Sequence, residues 1–299
     1  MISNRAISVD EICKTLEIEY KGCNNSFQSL GLCNRVSLFD RILTYSTSPK
    51  FCEAIVNNHV VVAAVINGKC FEELVRIDDR ICDRLSLIVV ENPEFVFYDI
   101  HELLYKQGFY NSEGKEPVLG KNCSIHPSVF IDHNVTIGNN VIIGPNTVIN
   151  GGTIIEDDVE IGCNSVIGGH GFQALKHYPK IIHHVGGVIL HKGAYIGNLT
   201  TVSKSLFEGY TEVGEYSKID DHVHFSHNCK CGRLCTITAG TVLMGSVVIG
   251  DNVWISPSSL ILNKKHIGDD SFIGSMSYVN SEVMPKSFMM GIPAKCFNK

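Results

Sequence analysis

The side chains best suited to chemistry gather around a few histidines. His222, His224 and His227 sit in one short edge, and His170, His177, His183, His184 and His191 lie in or beside a stretch further upstream. Imidazole titrates near neutral pH, so a well-placed histidine can take a proton from a nucleophile. His227 has the most informative neighbours. Asp220, seven residues before it, offers a carboxylate that could orient the ring and stabilise the imidazolium. Gly245, eighteen residues after it, offers a backbone N–H that could serve as an oxyanion donor. Base, carboxylate and amide are the parts that acyl transfer requires. The bland reading of the same histidine is a solvated or interface residue.

What brings these residues together is a period of six. Ile125, Ile131, Ile137, Ile143, Ile149, Ile155, Ile161 and Ile167 recur at that spacing, each with a small or β-branched residue two positions earlier. A period of six is neither helical nor simply alternating. It is the hexapeptide signature of a parallel β-helix, and roughly eight triangular coils are expected here. The period is lost from Gly168 to Val188 and resumes at Leu190, Ile196 and Val202. It shifts near Phe207–Tyr210, then runs from Val213 through Ile219, Phe225 and Cys231 to Val279. Ile219 and Phe225 therefore point inward, and His227 points outward. Eighteen residues make one coil, which sets Gly245 on the same face as His227. The 168–189 segment is predicted as a protruding loop, a place where solenoids often carry function.

Residues 1–112 lack the hexad period and read as a small α/β domain. Ile42–Tyr45, Val60–Val65 and Leu85–Val90 are apolar runs expected to be buried strands. Ser8 and Glu11 have capping-box spacing, and Ser48-Pro49 and Asn92-Pro93 open helices, the second with Val96, Ile100, Leu103 and Leu104 on one face. Residues 113–121 read as a linker and 122–299 as the β-helix domain. The twelve cysteines are expected to remain thiols, because no signal peptide precedes them and several occupy inward positions. No apolar run spans a membrane, and a net charge of −6 argues against nucleic acid. A cytoplasmic protein is expected, with no permanently bound cofactor and no metal.

Ser226-His227-Asn228, with Asp220 before and Gly245 after, resembles the site of the UDP-3-O-acylglucosamine N-acyltransferases of lipid A synthesis. The resemblance extends over most of the chain. Gly169-His170-Gly171-Phe172 is similar to that family's glycine-phenylalanine loop, and Thr200-Thr201-Val202 to its Thr-Thr-Ile run. Ser48-Pro49-Lys50-Phe51 resembles an Asn-Pro-Lys-Tyr segment that helps hold uracil, and Val89–Pro93 also matches. The resemblance implies His227 as the base that deprotonates a sugar amine, in a homotrimer with sites between neighbouring β-helices. It implies uridine binding by the N-terminal domain, with Tyr45, Ser48, Phe51, His170, Phe172 and Asn228 on the substrate.

The departures bear on the donor. A second family histidine is replaced by Lys264, with His266 nearby, and an Asp-Arg pair by Ser203-Lys204. The family's helical tail is absent, and Gly291-Ile292-Pro293-Ala294-Lys295 is similar to the ending of sugar acetyltransferases that use acetyl-CoA. The expectation is therefore acetyl transfer from acetyl-CoA to the amine of a nucleotide-linked sugar of a surface polysaccharide. Lys264, Lys265, Lys286 or Lys295 would meet the coenzyme A phosphates. The alternative is transfer from an acyl carrier protein, as in lipid A synthesis. Two rivals remain. His222 and His227 have the spacing of a zinc-dependent β-helix carbonic anhydrase, which takes its third histidine from another chain, here His183, His184 or His191. A trimeric scaffold without activity is the other.

Overall fold

The computed structural model describes residues 5–110 and 114–297. Residues 1–4, 111–113 (with Glu113 at the head of the expected linker) and 298–299 lie outside the described residues. The chain divides into two compact units. One comprises Met1–Asn111 with Gln173–His183, and the other Ser112–Phe172 with His184–Lys299.

The first unit is built on a five-stranded sheet. Its strands run in the order Lys21–Gly22, Ser86–Val89, Val61–Ile66, Ile42–Ser46, Ser29–Leu30, and the last four are mutually parallel. Val61–Ile66 is central and buried throughout, which explains its unbroken Val-Val-Ala-Ala-Val-Ile run. The helices begin where local chemistry starts them. Ser8 Oγ accepts the Glu11 N–H at the head of α1 (Val9–Leu16). A 3-10 turn at Pro49–Phe51 leads into α2 (Cys52–Asn57). Asn67 Oδ1 caps α3 (Gly68–Ile77), and Pro93 opens α4 (Pro93–Lys106). Phe97 and Tyr98, with Ile100 and Leu104, form the buried face of α4, while Val96 and Leu103 are only half-buried. Parallel strands bring the starts of α3 and α4 and the Ser48 turn to one end of the sheet.

Residues 173–183 correct the expectation of a protruding loop, because they pack on α4 within this unit. Asp99, Glu102 and Tyr105 repeat every third residue and so share a helix face. Asp99 accepts the Tyr178 hydroxyl at 3.0 Å and pairs with Lys180. Glu102 accepts the His183 N–H at 2.8 Å and meets its Nδ1 at 2.7 Å, while the His183 ring stacks 4.2 Å from Tyr105. Buried His101 donates from Nε2 to the His183 carbonyl at 2.7 Å, and burial lowers its pKa.

The second unit is a parallel β-helix of three sheets. The first face carries eight strands from Phe130–Ile131 to Tyr278–Val279, and the second eight from Val118–Leu119 to His266–Ile267. The third carries ten, from Ser124–Ile125 to Lys295–Phe297. Strands pair eighteen residues apart where the coils are regular, as in Phe130↔Val148 and Phe225↔Leu243. Inward residues such as Ile149, Ile167, Ile237 and Ile261 are fully buried in one continuous core. Corners turn on residues in the left-handed region, among them Asn140, Asn146, Asn164, Asn228 and Asn252, a residue type that tolerates it well.

Two boundaries differ from expectation. Val118–Leu119 already pairs with Thr136–Ile137, so the coil begins inside the expected 113–121 linker. Leu119 holds an inward register position, yet it is 53% exposed because no earlier coil covers it. At the other end, Lys295–Phe297 folds back antiparallel onto Phe288–Met290, through Gly291 at φ 100°. Gly291–Lys295 thus closes the third face. Both breaks in the period, 168–186 and 204–209, leave the coil at the corner between the first and second faces. They hydrogen-bond to each other, Val185 N–H to the Leu206 carbonyl and Gly187 N–H to that of Gly209.

Candidate active site

His227 occupies that same corner, one coil beyond the second break. It follows Phe225 on the first face and precedes Cys231 on the second. Gly245 lies directly above it, and the Ser246 N–H donates to the His227 carbonyl at 2.9 Å. A Cβ on Gly245 would stand 2.6 Å from His227 Cε1 and 2.7 Å from Nε2, so the imidazole edge rests where only glycine leaves room. Gly171 closes the other side, where a Cβ would meet His227 Cδ2 at 3.0 Å and His184 Nε2 at 2.6 Å. The His184 ring, buried, stands nearly perpendicular to that of His227 at 5.0 Å. His170 Nδ1 in turn accepts the His184 N–H at 3.2 Å. Among the described residues, no acceptor takes the Gly245 N–H.

Asn228 was read as a substrate contact, but its side chain is used within the protein. Its Oδ1 accepts the Leu206 N–H at 3.1 Å and lies 3.0 Å from His227 Nδ1. Its Nδ2 donates to Ser205 Oγ, and its own N–H donates to Thr211 Oγ1 at 2.8 Å. Asp220 is corrected as well. It follows Ile219 of the third face, so it sits one corner away from His227. Its carboxylate accepts the N–H groups of Asp221 at 2.8 Å and Ala239 at 3.1 Å, which braces that turn. Seven residues are one hexad plus one, a third of a turn around the coil. Within one chain Asn228, not Asp220, holds the His227 ring. His224, on the first face beside it, bonds Thr201 Oγ1 at 2.9 Å, and burial followed by the His227 charge lowers its pKa.

Of the other expected site residues, Phe172 is 84% exposed in the second unit. Lys264 stands at the His227 corner, its N–H bonded to the Gly245 carbonyl at 3.0 Å. Lys265 is half-buried, 3.8 Å from Glu282. Lys286 is at the corner between second and third faces, its N–H on the Asp269 carbonyl. In the first unit, Tyr45, Ser48 and Phe51 gather at the carboxyl end of the Ile42–Ser46 strand, where open α/β sheets bind ligands. Tyr45 packs 4.7 Å from Phe97 and donates its hydroxyl to Glu94 at 3.0 Å, and burial raises its pKa. Arg35 interacts electrostatically with Tyr98 and Tyr45, its own pKa lowered by burial. Phe51 is half-buried, with the Lys50 ammonium 4.8 Å over its ring.

The described geometry has counterparts in known proteins. Residues 116–151 match the family model of the bacterial transferase hexapeptide (six repeats). A UDP-3-O-acylglucosamine N-acyltransferase of Campylobacter lari is 31% identical over 96% of this chain and 93% of its own. The chain belongs to the UDP-3-O-acylglucosamine N-acyltransferase family. A second member, from Campylobacter jejuni subsp. doylei, is 29% identical over 96% and 93% of the two chains. A solved UDP-N-acetylglucosamine acyltransferase of Bacteroides fragilis superimposes with a TM-score of 0.56 at 26% identity, covering 61% of this chain and 70% of its own.

Membership makes the protein an N-acyltransferase and leaves the carbonic anhydrase and scaffold readings without support. Within one chain the two histidines of the zinc reading, His222 and His227, lie at different corners of the coil. His183 is held by Glu102 in the first unit, His191 lies 3.1 Å from Glu156 and 3.5 Å from Glu212, and His222 shares the Asp220 corner. Among the described residues no three His, Cys, Asp or Glu side chains converge on a metal-binding geometry. No described helix is long and apolar enough to cross a membrane. In the sequence His184 stands only among the loop histidines and as a possible zinc ligand, and its place beside His227 is not foreseen. It lies off the hexad register, so no spacing in the sequence points to it.

Proposed function

We propose that the protein acylates the amine of a UDP-linked, 3-O-acylated glucosamine, the substrate that the names of its curated relatives specify. The observation that carries the reading is the His227 imidazole edge resting on Gly245 in the broken corner. In this mechanism His227 Nε2 takes a proton from the sugar amine as the nitrogen attacks a thioester carbonyl. The Gly245 N–H receives the developing oxyanion. Collapse of the tetrahedral intermediate breaks the carbon–sulfur bond, and the thiolate takes up a proton and leaves as a thiol. The uridine binds at the carboxyl end of the N-terminal sheet, at Ser48 and Phe51.

The donor is a thioester on a phosphopantetheine arm, and we assign it to an acyl carrier protein. The acetyl-CoA reading rested in part on Gly291–Lys295, and those residues have a structural use of their own in closing the third face. Lys264 lies on the His227 corner, where the arm would run. The coil is read as left-handed and the assembly as a homotrimer. Support comes from the outer side of the first face, where Phe130, Val148 and Val166 form one apolar patch and Val242, Leu260 and Tyr278 another, on either side of Thr201 and His224, with Phe130 56% exposed. The test is a competition between acetyl-CoA and a long-chain acyl carrier protein for one UDP-3-O-acylglucosamine pool. Exclusive N-acetylation would overturn the carrier-protein assignment.

A further inference from the structure

We propose that Asn228 is the positioning residue of the site, fixing His227 as the Nδ1–H tautomer, and that the 204–209 insertion exists at this corner to hold Asn228. The inference rests on His227 as the base and deepens that reading.

A backbone N–H can only donate, so the Asn228 atom that receives the Leu206 N–H must be the amide oxygen. That settles which end of the amide is which. The other end, the NH2 group, then meets Ser205 Oγ. The same oxygen lies 3.0 Å from His227 Nδ1. An amide oxygen has no proton to give, so Nδ1 must supply it. A neutral imidazole carries one ring proton, and with that proton on Nδ1 the lone pair falls on Nε2. Nε2 is the nitrogen on the edge that rests on Gly245. The protein thereby selects the tautomer that can act as a base there.

Nothing in the hexad supplies this arrangement. The inward positions Val202 and Val213 are separated by eleven residues instead of six. The extra residues carry Ser205 and Leu206 back against Asn228. The contrast with regular corners is direct. Asn140 and Asn252, in the same left-handed conformation, donate Nδ2 to Asp158 and Asp270 in the next coil. Asn228 turns its amide to the insertion instead, and the Thr211 hydroxyl pins its backbone N–H.

The experiment uses the full-length protein with 15N-labelled histidine, recording the imidazole nitrogens at neutral pH, with His227→Ala to assign the signal. The wild type is expected to show His227 protonated on Nδ1. Asn228→Gly keeps a residue suited to φ 60° but removes the acceptor. It is expected to move His227 towards Nε2–H and to lower kcat at least about tenfold, with KM for the sugar nucleotide little changed. Asn228→Asp retains an acceptor and should keep both the tautomer and most of kcat, which a merely structural role would not predict. A wild-type ring protonated on Nε2 overturns the proposal, and so does an Asn228→Gly variant with native tautomer and kcat. If Asn228→Gly does not fold, the wild-type spectrum still decides. Full activity in His227→Ala would remove the base assignment instead, and would leave the tautomer measurement standing.

Discussion

The corner between the second and third faces and the corner that holds His227 are built from the same coil, yet they leave the backbone in opposite states. At the former, the exposed N–H of several turns is accepted by a side chain one coil later. The Lys121 N–H goes to Asn139 and the Asn139 N–H to Asp157. Further along, the Arg233 N–H goes to Asp251 and the Asp251 N–H to Asp269. In each of these pairs the donor is consumed by the repeat. At the other corner the equivalent positions hold His227 and Gly245, neither of which extends an acceptor of that kind. One corner is stable because it is closed. At the other the repeat stops closing the turn, and this is why the proposed chemistry is assigned to it.

The largest expected effect follows directly. His227→Ala should lower kcat by roughly 10²–10⁴ while leaving the melting temperature close to native. Near-native turnover would dissolve the distinction between the two corners. Gly245→Ala should lower kcat by about 10²–10³, because the added Cβ would sit on His227 and displace both the ring and the oxyanion donor. The control is Gly240→Ala. Gly240 has φ +69° but no atom closer than 3.4 Å to an added Cβ, so that change should cost about 1 kcal/mol of stability and spare kcat.

The regular coils respond the other way. Ile237 is fully buried in the prism. Ile237→Ala should destabilise the protein by about 2–5 kcal/mol in denaturant titration, with kcat per folded molecule unchanged. A selective loss of kcat would mean that the coil core and the site are coupled. The N-terminal unit supplies a smaller contrast. Phe51→Ala should weaken sugar-nucleotide binding by about 1–3 kcal/mol, the range for aromatic stacking on a base. Its KM for the acyl donor should not move, and equal shifts in both would remove the first unit from nucleotide recognition.

The hexad made the coil legible because an inward isoleucine every six residues leaves few other ways to bury it. It made Gly245 legible too, since eighteen residues return the chain to the same corner. The partner of His227 was not legible. Asp220 is close in sequence and of the right chemical type, but seven residues carry it to the neighbouring corner. Asn228 is adjacent in sequence, and nothing in the hexad shows that its amide turns back to Leu206. His184 lies across a break, where register gives no guide. In the first unit the buried strands were legible as apolar runs, and α3 was missed because its start signal is a single Asn67 ahead of a glycine. The docking of 173–183 on α4 depends on Asp99 and Glu102 accepting polar groups from far away in the sequence, which no local pattern reveals.

The smallest expected effect sharpens the comparison most. Asp220 accepts two backbone N–H groups, those of Asp221 and Ala239, at the corner preceding that of His227. Asp220→Asn keeps one good acceptor and gives up the charge. The loss should be about 1 kcal/mol, the usual net value of one hydrogen bond, read as a small fall in melting temperature. Within one chain Asp220 does not touch His227, so kcat and its pH dependence should stay native. The same variant would expose a different architecture if that failed. A fall in kcat of tenfold or more at unchanged stability would mean that the carboxylate reaches a base it does not meet in its own chain. Only a neighbouring copy could bring that base to it, and the site would then be assembled between subunits from two different corners of the same coil.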